Sequence, residues 1–257
     1  MMQAELMAKV EGIIGKILSV DVLEDQGCTS EVRRLLTEES TYLLKSSYKE
    51  KYREWVREEA NKLECLNRHP EVPVPTYCGL IDEEDSTHLV MSFERGITLT
   101  SALKYASSQA ERSDLIQSFG KFLQQFHERL PVSSIDHKRD WLQEQLLKAK
   151  DYVLNNQTDG TLELLDELTS NKPKSINQTM IHGDCTTDNV LVQDGEVQLF
   201  IDIGGMSVGD PRYDEALAIR KFINSPEDMD AFYRGYTRYK VSRSEYAYFE
   251  EGLYEFF

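Results

Sequence analysis

The stretch His182-Gly183-Asp184-Cys185-Thr186-Thr187-Asp188-Asn189-Val190-Leu191-Val192-Gln193-Asp194-Gly195-Glu196-Val197-Gln198-Leu199-Phe200-Ile201-Asp202 decides the fold. An Asp-Gly pair between two apolar-rich runs predicts a β-hairpin closed by a two-residue type I′ turn. With Asp194-Gly195 as the turn, Gln193 faces Glu196 and Asn189 faces Phe200. Asp202 then lies diagonal to Asn189 on the same side of the hairpin. Diagonal neighbours stand ~7–8 Å apart, a gap that two oxygen ligands can close around one magnesium ion. The spacing therefore predicts a metal site, Asn189 with Asp202, at the open end of the hairpin.

Asp184 stands five residues before Asn189. A carboxylate beside a metal-bound phosphate is placed to accept the proton of an attacking hydroxyl. Base, asparagine ligand and aspartate ligand together form the set used in phosphoryl transfer of the protein-kinase type. Cys185 lies inside the same stretch, but no histidine and base arrangement supports a nucleophilic thiol, so it reads as a small residue filling a loop.

Upstream, Ile17 to Leu23, Ser30 to Leu36 and Ser40 to Ser46 read as strands, the first two joined by Glu24-Asp25-Gln26-Gly27-Cys28-Thr29. Lys49 to Asn67 has helical periodicity and ends before a segment with Pro70, Pro73 and Pro75, which stop a helix. Thr76 to Ile81 and Thr87 to Phe93 form a further strand pair. After Gly96 the texture is helical: Leu99 to Ser107, Arg112 to Leu130, Trp141 to Asn155, Leu162 to Leu168 and, beyond the hairpin, Tyr213 to Phe257. A small strand-rich lobe followed by a larger helical lobe is an α+β arrangement. The division expected is 1–95 as a nucleotide-binding lobe and 96–257 as a catalytic and substrate-binding lobe, with Ser92-Phe93-Glu94-Arg95-Gly96 as the hinge.

The first lobe supplies a second constellation. A nucleotide kinase needs a lysine for the α/β-phosphates and a helical glutamate to hold it. Lys45 closes the run Tyr42-Leu43-Leu44-Lys45. In the next helix Val56, Glu59, Leu63 and Leu66 share one face, so Glu59 points inward among leucines while Glu58 turns away with Lys62. A buried acid is costly unless paired, and Lys45 is its expected partner.

His182-Gly183-Asp184, Asn189, Ile201-Asp202 and Gly209-Asp210-Pro211-Arg212-Tyr213-Asp214 resemble the signature of the aminoglycoside phosphotransferase and choline kinase superfamily. The resemblance spans about residues 15 to 257. It implies a bilobal, protein-kinase-like fold with a small antiparallel-sheet N-lobe, Asp184 as catalytic base, and Asn189 and Asp202 as magnesium ligands. It also implies that Asp210 is a buried hydrogen-bonding residue of the catalytic region. Asp214 reads physically as the N-terminal cap of a helix from Glu215 to Phe222. Thr29 or Ser30, in the turn Gln26 to Ser30, would bond phosphate oxygens. The strand Leu89 to Glu94, through the backbone at Ser92 and Phe93, would pair with a purine edge and leave ATP against GTP open.

The ending Gly252-Leu253-Tyr254-Glu255-Phe256-Phe257 is similar to the tail of aminoglycoside 3′-phosphotransferases, where acidic residues and the terminal carboxylate hold ammonium groups. By that match Glu255 and Phe257 line a substrate site, with Asp188 as a further acidic contact and Tyr254 in place of the first acid. Those enzymes usually carry an arginine three residues after the metal-ligand aspartate; here the residue is Gly205. The acceptor implied is an aminoglycoside or similar cationic antibiotic. The alternatives are another hydroxylated metabolite, a macrolide gripped by Phe232, Tyr233, Tyr236, Tyr239 and Phe249, or a kinase-like module that binds without catalysis.

The bulk composition narrows the partners. The 257 residues carry 45 acids against 29 bases, a net charge of −16, which argues against a nucleic-acid partner and suits a cationic one. No apolar run approaches the ~20 residues that span a bilayer. The segment Met1 to Val20 does not read as a signal peptide, so a cytoplasmic protein is expected. The cysteines at 28, 65, 78 and 185 have no metal-ligand or disulfide spacing.

Overall fold

Strand-favouring runs alternate with turn residues along the first 95 positions and close into one antiparallel sheet. The computed structural model describes residues 2–23, 26, 29–132 and 140–257. The chain divides into two units, Met1–Arg95 with Asp202–Gly204, and Gly96–Ile201 with Gly205–Phe257.

In the first unit, helix α1 (Met2–Ile14) precedes strands β1 (Ile17–Val22), β2 (Glu31–Thr37) and β3 (Thr41–Ser47). Helix α2 (Glu50–Leu66), β4 (Tyr77–Asp82) and β5 (Thr87–Ser92) follow. The sheet order is β1-β2-β3-β5-β4, antiparallel throughout. Leu6, Val10 and Ile14, four residues apart on α1, bury against Leu35, Leu44 and Val90. Side chains alternate along a strand, so Leu44 enters that core and Lys45 points to the opposite face. Val56, Glu59, Ala60, Leu63 and Leu66 form the buried stripe of α2. Within the turn expected before β2, Glu24, Asp25, Gly27 and Cys28 lie outside the described residues.

The second unit runs through β6 (Ile97–Thr98), α3 (Leu99–Tyr105), α4 (Gln109–His127), α5 (Trp141–Leu154), α6 (Leu162–Ser170) and β7 (Thr179–Ile181). It continues with β8 (Val190–Gln193), β9 (Glu196–Phe200), β10 (Ser207–Gly209), α7 (Pro211–Ile219), α8 (Pro226–Gly235) and α9 (Arg243–Phe249). It holds a three-stranded sheet, β6-β8-β9, and a two-stranded one, β10-β7. Helix α4 starts three residues earlier than its apolar periodicity suggests, because Ser108 accepts from the Glu111 N–H and caps it.

The β8–β9 turn is of the expected kind: Asp194 and Gly195 have φ of 50° and 83°, both positive as type I′ requires. The register beyond it corrects the expectation. Gln193 pairs with Glu196 and Val192 with Val197, but Leu191 pairs with Leu199 and Val190 with Phe200. Gln198 is the extra residue of a β-bulge, so Asn189 meets Ile201, whose N–H donates to the Asn189 carbonyl at 2.9 Å. Asn189 therefore does not face Phe200. Asp202 leaves the strand in the left-handed region at φ 56°, so the diagonal relation of flat pleating is lost.

Two further expectations fall here. Asp210, not Asp214, caps α7: its carboxylate accepts the Arg212 N–H at 3.0 Å, with Pro211 in the first turn where a missing N–H costs nothing. Of the aromatic residues expected to wall an apolar cleft, Phe232, Tyr236 and Phe249 are at most 1% exposed and belong to the core. Phe119 packs edge-on against Phe232 with centroids 5.8 Å apart, and Tyr236 stacks on Phe232 at 5.7 Å.

Candidate active site

Each unit carries one cluster of polar side chains that the sequence had singled out. In the second unit, His182-Gly183-Asp184 forms a tight turn after β7. Gly183 has φ 83°, and a Cβ there would stand 2.4 Å from the Gly205 carbonyl oxygen, so only glycine lets these segments cross. The turn is held from below by Asp214. That carboxyl is fully buried and accepts from the His182 N–H at 2.6 Å, the Gly183 N–H at 2.8 Å and His127 Nε2 at 3.2 Å. Asp214 is thus a buried hydrogen-bonding residue of this turn. Asp210 is buried as well, as the resemblance implies, and is tied to the Arg212 guanidinium, at 3.0 Å to Nε and 2.6 Å to Nη2.

His182 Nε2 lies 3.0 Å from the Ile201 carbonyl, while Nδ1 receives the Asp184 N–H at 3.2 Å. A carbonyl only accepts and an amide N–H only donates, so the proton sits on Nε2. The imidazole thereby links the Asp184 turn to the end of β9.

Asn189 completes the arrangement. Its Nδ2 donates to Asp184 Oδ2 at 2.7 Å and to the Asp184 carbonyl at 2.9 Å, fixing side chain and backbone together. The Tyr254 hydroxyl donates to Asp184 Oδ1 at 2.9 Å. Cys185 is fully buried and burial pushes its thiol well above the ordinary range, in keeping with a filler rather than a nucleophile.

In the first unit, Lys45 Nζ bridges two carboxylates, Glu59 Oε2 at 2.7 Å and Asp202 Oδ1 at 2.9 Å. Burial disfavours the ammonium, but Asp202 and Glu59 outweigh it and raise the lysine, which stays charged. Burial also raises Glu59 against the opposing pull of Lys45. The Glu59 side chain is 2% exposed while that of Asp202 is 49% exposed. The buried ammonium is therefore held between a buried carboxylate and a half-exposed one.

The remaining expected contacts fare unevenly. Ser30 is buried, with Oγ 2.5 Å from Ser47 Oγ, and the Thr29 carbonyl accepts from the same Ser47 hydroxyl at 3.1 Å. The Ser30 hydroxyl is spent inside the sheet. The Ser92 and Phe93 N–H groups donate to the Thr76 and Thr41 carbonyls at 2.9 and 3.1 Å. Asp188, expected to be an open acidic contact, is paired with Lys221 at 2.7 Å. Burial works to raise its carboxyl, but the Lys221 and Thr100 bonds prevail and lower it.

Residues 25–249 match the phosphotransferase enzyme family. The chain belongs to that family. It is 27% identical over 220 residues to the aminoglycoside 3′-phosphotransferase of Streptomyces fradiae, covering 77% of this chain and 78% of that protein. Identity to the aminoglycoside 3′-phosphotransferase of Enterococcus faecalis is 26% over 163 residues, 58% of this chain and 59% of that protein. Among solved structures, an aminoglycoside 3′-phosphotransferase of type VIII superposes with a TM-score of 0.77 at 22% identity, covering 99% of this chain and 98% of that one. APH(3'')-Id from Streptomyces rimosus, solved with ADP and streptomycin, gives 0.74 at 16% identity over 98% and 97% of the two chains.

As a member of that family, the chain has Gly205 where the resemblance implies an arginine, and a tail in which Tyr254 replaces an acid. A Cβ at Gly205 would lie 3.0 Å from the His182 oxygen and the Gly183 carbonyl carbon, too tight for the arginine of the family pattern without movement of the turn. The tail forms a 3-10 turn, Leu253–Phe256, pinned by fully buried Leu253 and Phe256. Glu255 is exposed and its carbonyl accepts from Thr158 at 3.0 Å, while the Phe257 ring meets Tyr152 edge-on at 5.8 Å. The tail residue that reaches Asp184 is Tyr254, which the sequence reading had left without a role.

Proposed function

We propose that this chain transfers the γ-phosphoryl group of ATP or GTP to a hydroxyl of an aminoglycoside or similar cationic antibiotic. The observation that carries the reading is the Asp184 carboxylate, oriented by Asn189 through one oxygen and contacted by a hydroxyl donor at the other. A general base must sit within hydrogen-bond reach of the proton it takes, a reach at which Asp184 already holds the Tyr254 hydroxyl. Asp184 accepts the acceptor's proton as the acceptor oxygen forms its bond to the γ-phosphorus, and the bond from that phosphorus to the bridging oxygen breaks. Lys45, anchored by Glu59, binds the phosphates.

The donors also suit magnesium. Asn189 holds Asp184 through its amide nitrogen, and its amide oxygen would hold the ion together with the half-exposed Asp202 carboxylate. Both are hard oxygen donors of the kind magnesium takes alongside phosphate oxygens. When bound, the ion neutralises charge on the transferring phosphoryl group.

The base edge would meet the carbonyls of the Ser92–Phe93 segment, whose N–H groups are committed. A net charge of −16 favours a cationic acceptor, with exposed Glu255 and the Phe257 end as its contacts, inside the cytoplasm. No helix among the described residues is long and apolar enough to cross a membrane. The expected biological outcome is antibiotic resistance.

A screen of purified protein with ATP or GTP and magnesium against aminoglycosides, macrolides and amino-alcohols tests the reading. Transfer confined to the macrolides or amino-alcohols would replace the acceptor, and loss of nucleotide turnover with every acceptor would remove the reaction.

A further inference from the structure

Tyr254 is a neutral hydroxyl at a position where the tail resemblance implies an acid. Its Oη stands 2.9 Å from Asp184 Oδ1. That is the distance and the oxygen an acceptor hydroxyl needs in order to lose its proton to this base. Burial, reinforced by Asp184, raises the phenol, so it remains a donor at neutral pH.

The ring is retained by side-chain contacts. It lies 6.4 Å from the Tyr213 ring, and the Arg220 guanidinium stands 5.3 Å above its face. Leu253 and Phe256 on either side are fully buried and hold the backbone of the turn. Moving the phenol therefore breaks its bonds to Asp184 and Arg220 and its two ring contacts, while the backbone of the turn stays held.

We infer that Tyr254 is a specificity-determining residue whose phenol holds the acceptor hydroxyl's place on Asp184 and must swing aside for an acceptor to bind. This rests on the reading of Asp184 as the base. An acceptor enters by exchanging its own hydroxyl for the phenol on Oδ1. Acceptors that offer a hydroxyl together with enough further contacts to displace the ring are selected over small alcohols. Water alone meets Asp184 already occupied, which disfavours wasteful hydrolysis of the nucleotide.

The test is Tyr254→Phe, which keeps the ring packing and removes the bonds that have to be broken. Binding of kanamycin and of streptomycin to wild type and variant is measured by calorimetry, and turnover is measured in parallel. A hydrogen bond to a carboxylate is worth enough for acceptor affinity to rise about tenfold in the variant, with nucleotide KM unchanged. Nucleotide hydrolysis without acceptor should rise as well. Tyr254→Leu should show the same direction, which guards against a peculiarity of the phenylalanine ring. Tighter binding without phosphate transfer keeps Tyr254's role and removes the proposed reaction. Transfer with unchanged or weaker acceptor binding removes Tyr254's role and keeps the reaction. Absence of binding to either protein removes both.

Discussion

Asn189 grips Asp184 twice with one nitrogen, at 2.7 Å to the carboxylate and 2.9 Å to the main-chain carbonyl. The first bond sets the rotamer of the proposed base and the second sets the loop that carries it. Asn189→Ala should therefore lose orientation as well as a metal donor, lowering kcat at least a hundredfold, a loss typical of removing a group that positions charge. Asp184→Ala should abolish transfer and leave nucleotide affinity within a few-fold. Calorimetric nucleotide titration alongside steady-state turnover separates the two. An Asp184→Ala enzyme with unchanged turnover would remove the base assignment.

Gly183 and Gly195 offer a matched pair. Both have φ 83°, yet a Cβ at Gly195 meets nothing within 4 Å while one at Gly183 meets the Gly205 oxygen at 2.4 Å. Gly195→Ala should cost about 1 kcal/mol of backbone strain. Gly183→Ala should cost clearly more, on the order of 3 kcal/mol, because a main-chain clash is added. Thermal unfolding of the two variants side by side checks the difference. Equal melting temperatures would show that the crossing at Gly205 is loose.

Glu215, fully buried on α7, is pushed up to about 7 by burial, which the Val241 N–H and Tyr233 hydroxyl bonds only partly offset. Its second oxygen, Oε2, has no hydrogen-bond partner among the described residues. The folded state binds the proton more tightly than the unfolded chain, whose ordinary value is 4.5. This group's contribution is therefore full below about 4.5 and is lost as pH rises towards 7, by at most about 3 kcal/mol. Glu215→Gln keeps an acceptor for both donors and cannot ionise. The variant should gain stability over wild type between pH 5 and pH 8, and denaturant midpoints at those two values measure the gain. A difference that does not grow with pH would contradict the buried-acid account.

Local chemistry made parts of this structure legible and tertiary packing hid the rest. The Asp194-Gly195 turn could be read because type I′ geometry depends on those two residues alone. The Lys45–Glu59 pair could be read because a lone acid on an apolar helix face demands a partner. The bulge at Gln198 could not, since no residue there announces an extra position, and one such residue moved Asn189 from Phe200 to Ile201. The cap at Asp210 in place of Asp214 was hidden for a similar reason. Pro211 favours a helix start beside Asp210, and the burial that gives Asp214 its three donors comes from α4 and the turn after β7. Helix α1 was not legible because a short buried stripe, Leu6, Val10 and Ile14 among the described residues, marks it. The sequence marks Tyr254 only as a lost acid, because nothing local announces that its hydroxyl reaches Asp184.

Lys45 allows stability and activity to be separated. Its ammonium is held between Glu59 and Asp202, with side-chain exposures of 10% for the lysine and 2% for Glu59. Lys45→Met leaves the Glu59 carboxyl buried without its cation, a change that costs about 3–5 kcal/mol when an ion pair is broken from one side. Neutralising the partner as well, in Lys45→Met with Glu59→Leu, should recover most of that loss, because the buried charge goes with it. Phosphate transfer should stay at least a hundredfold down in both variants, since neither presents a cation to the phosphates. Chemical denaturation gives the coupling and a turnover assay gives the rest. A double variant that regained activity along with stability would show that Lys45 serves only to hold the sheet to α2, and would remove it from the nucleotide site.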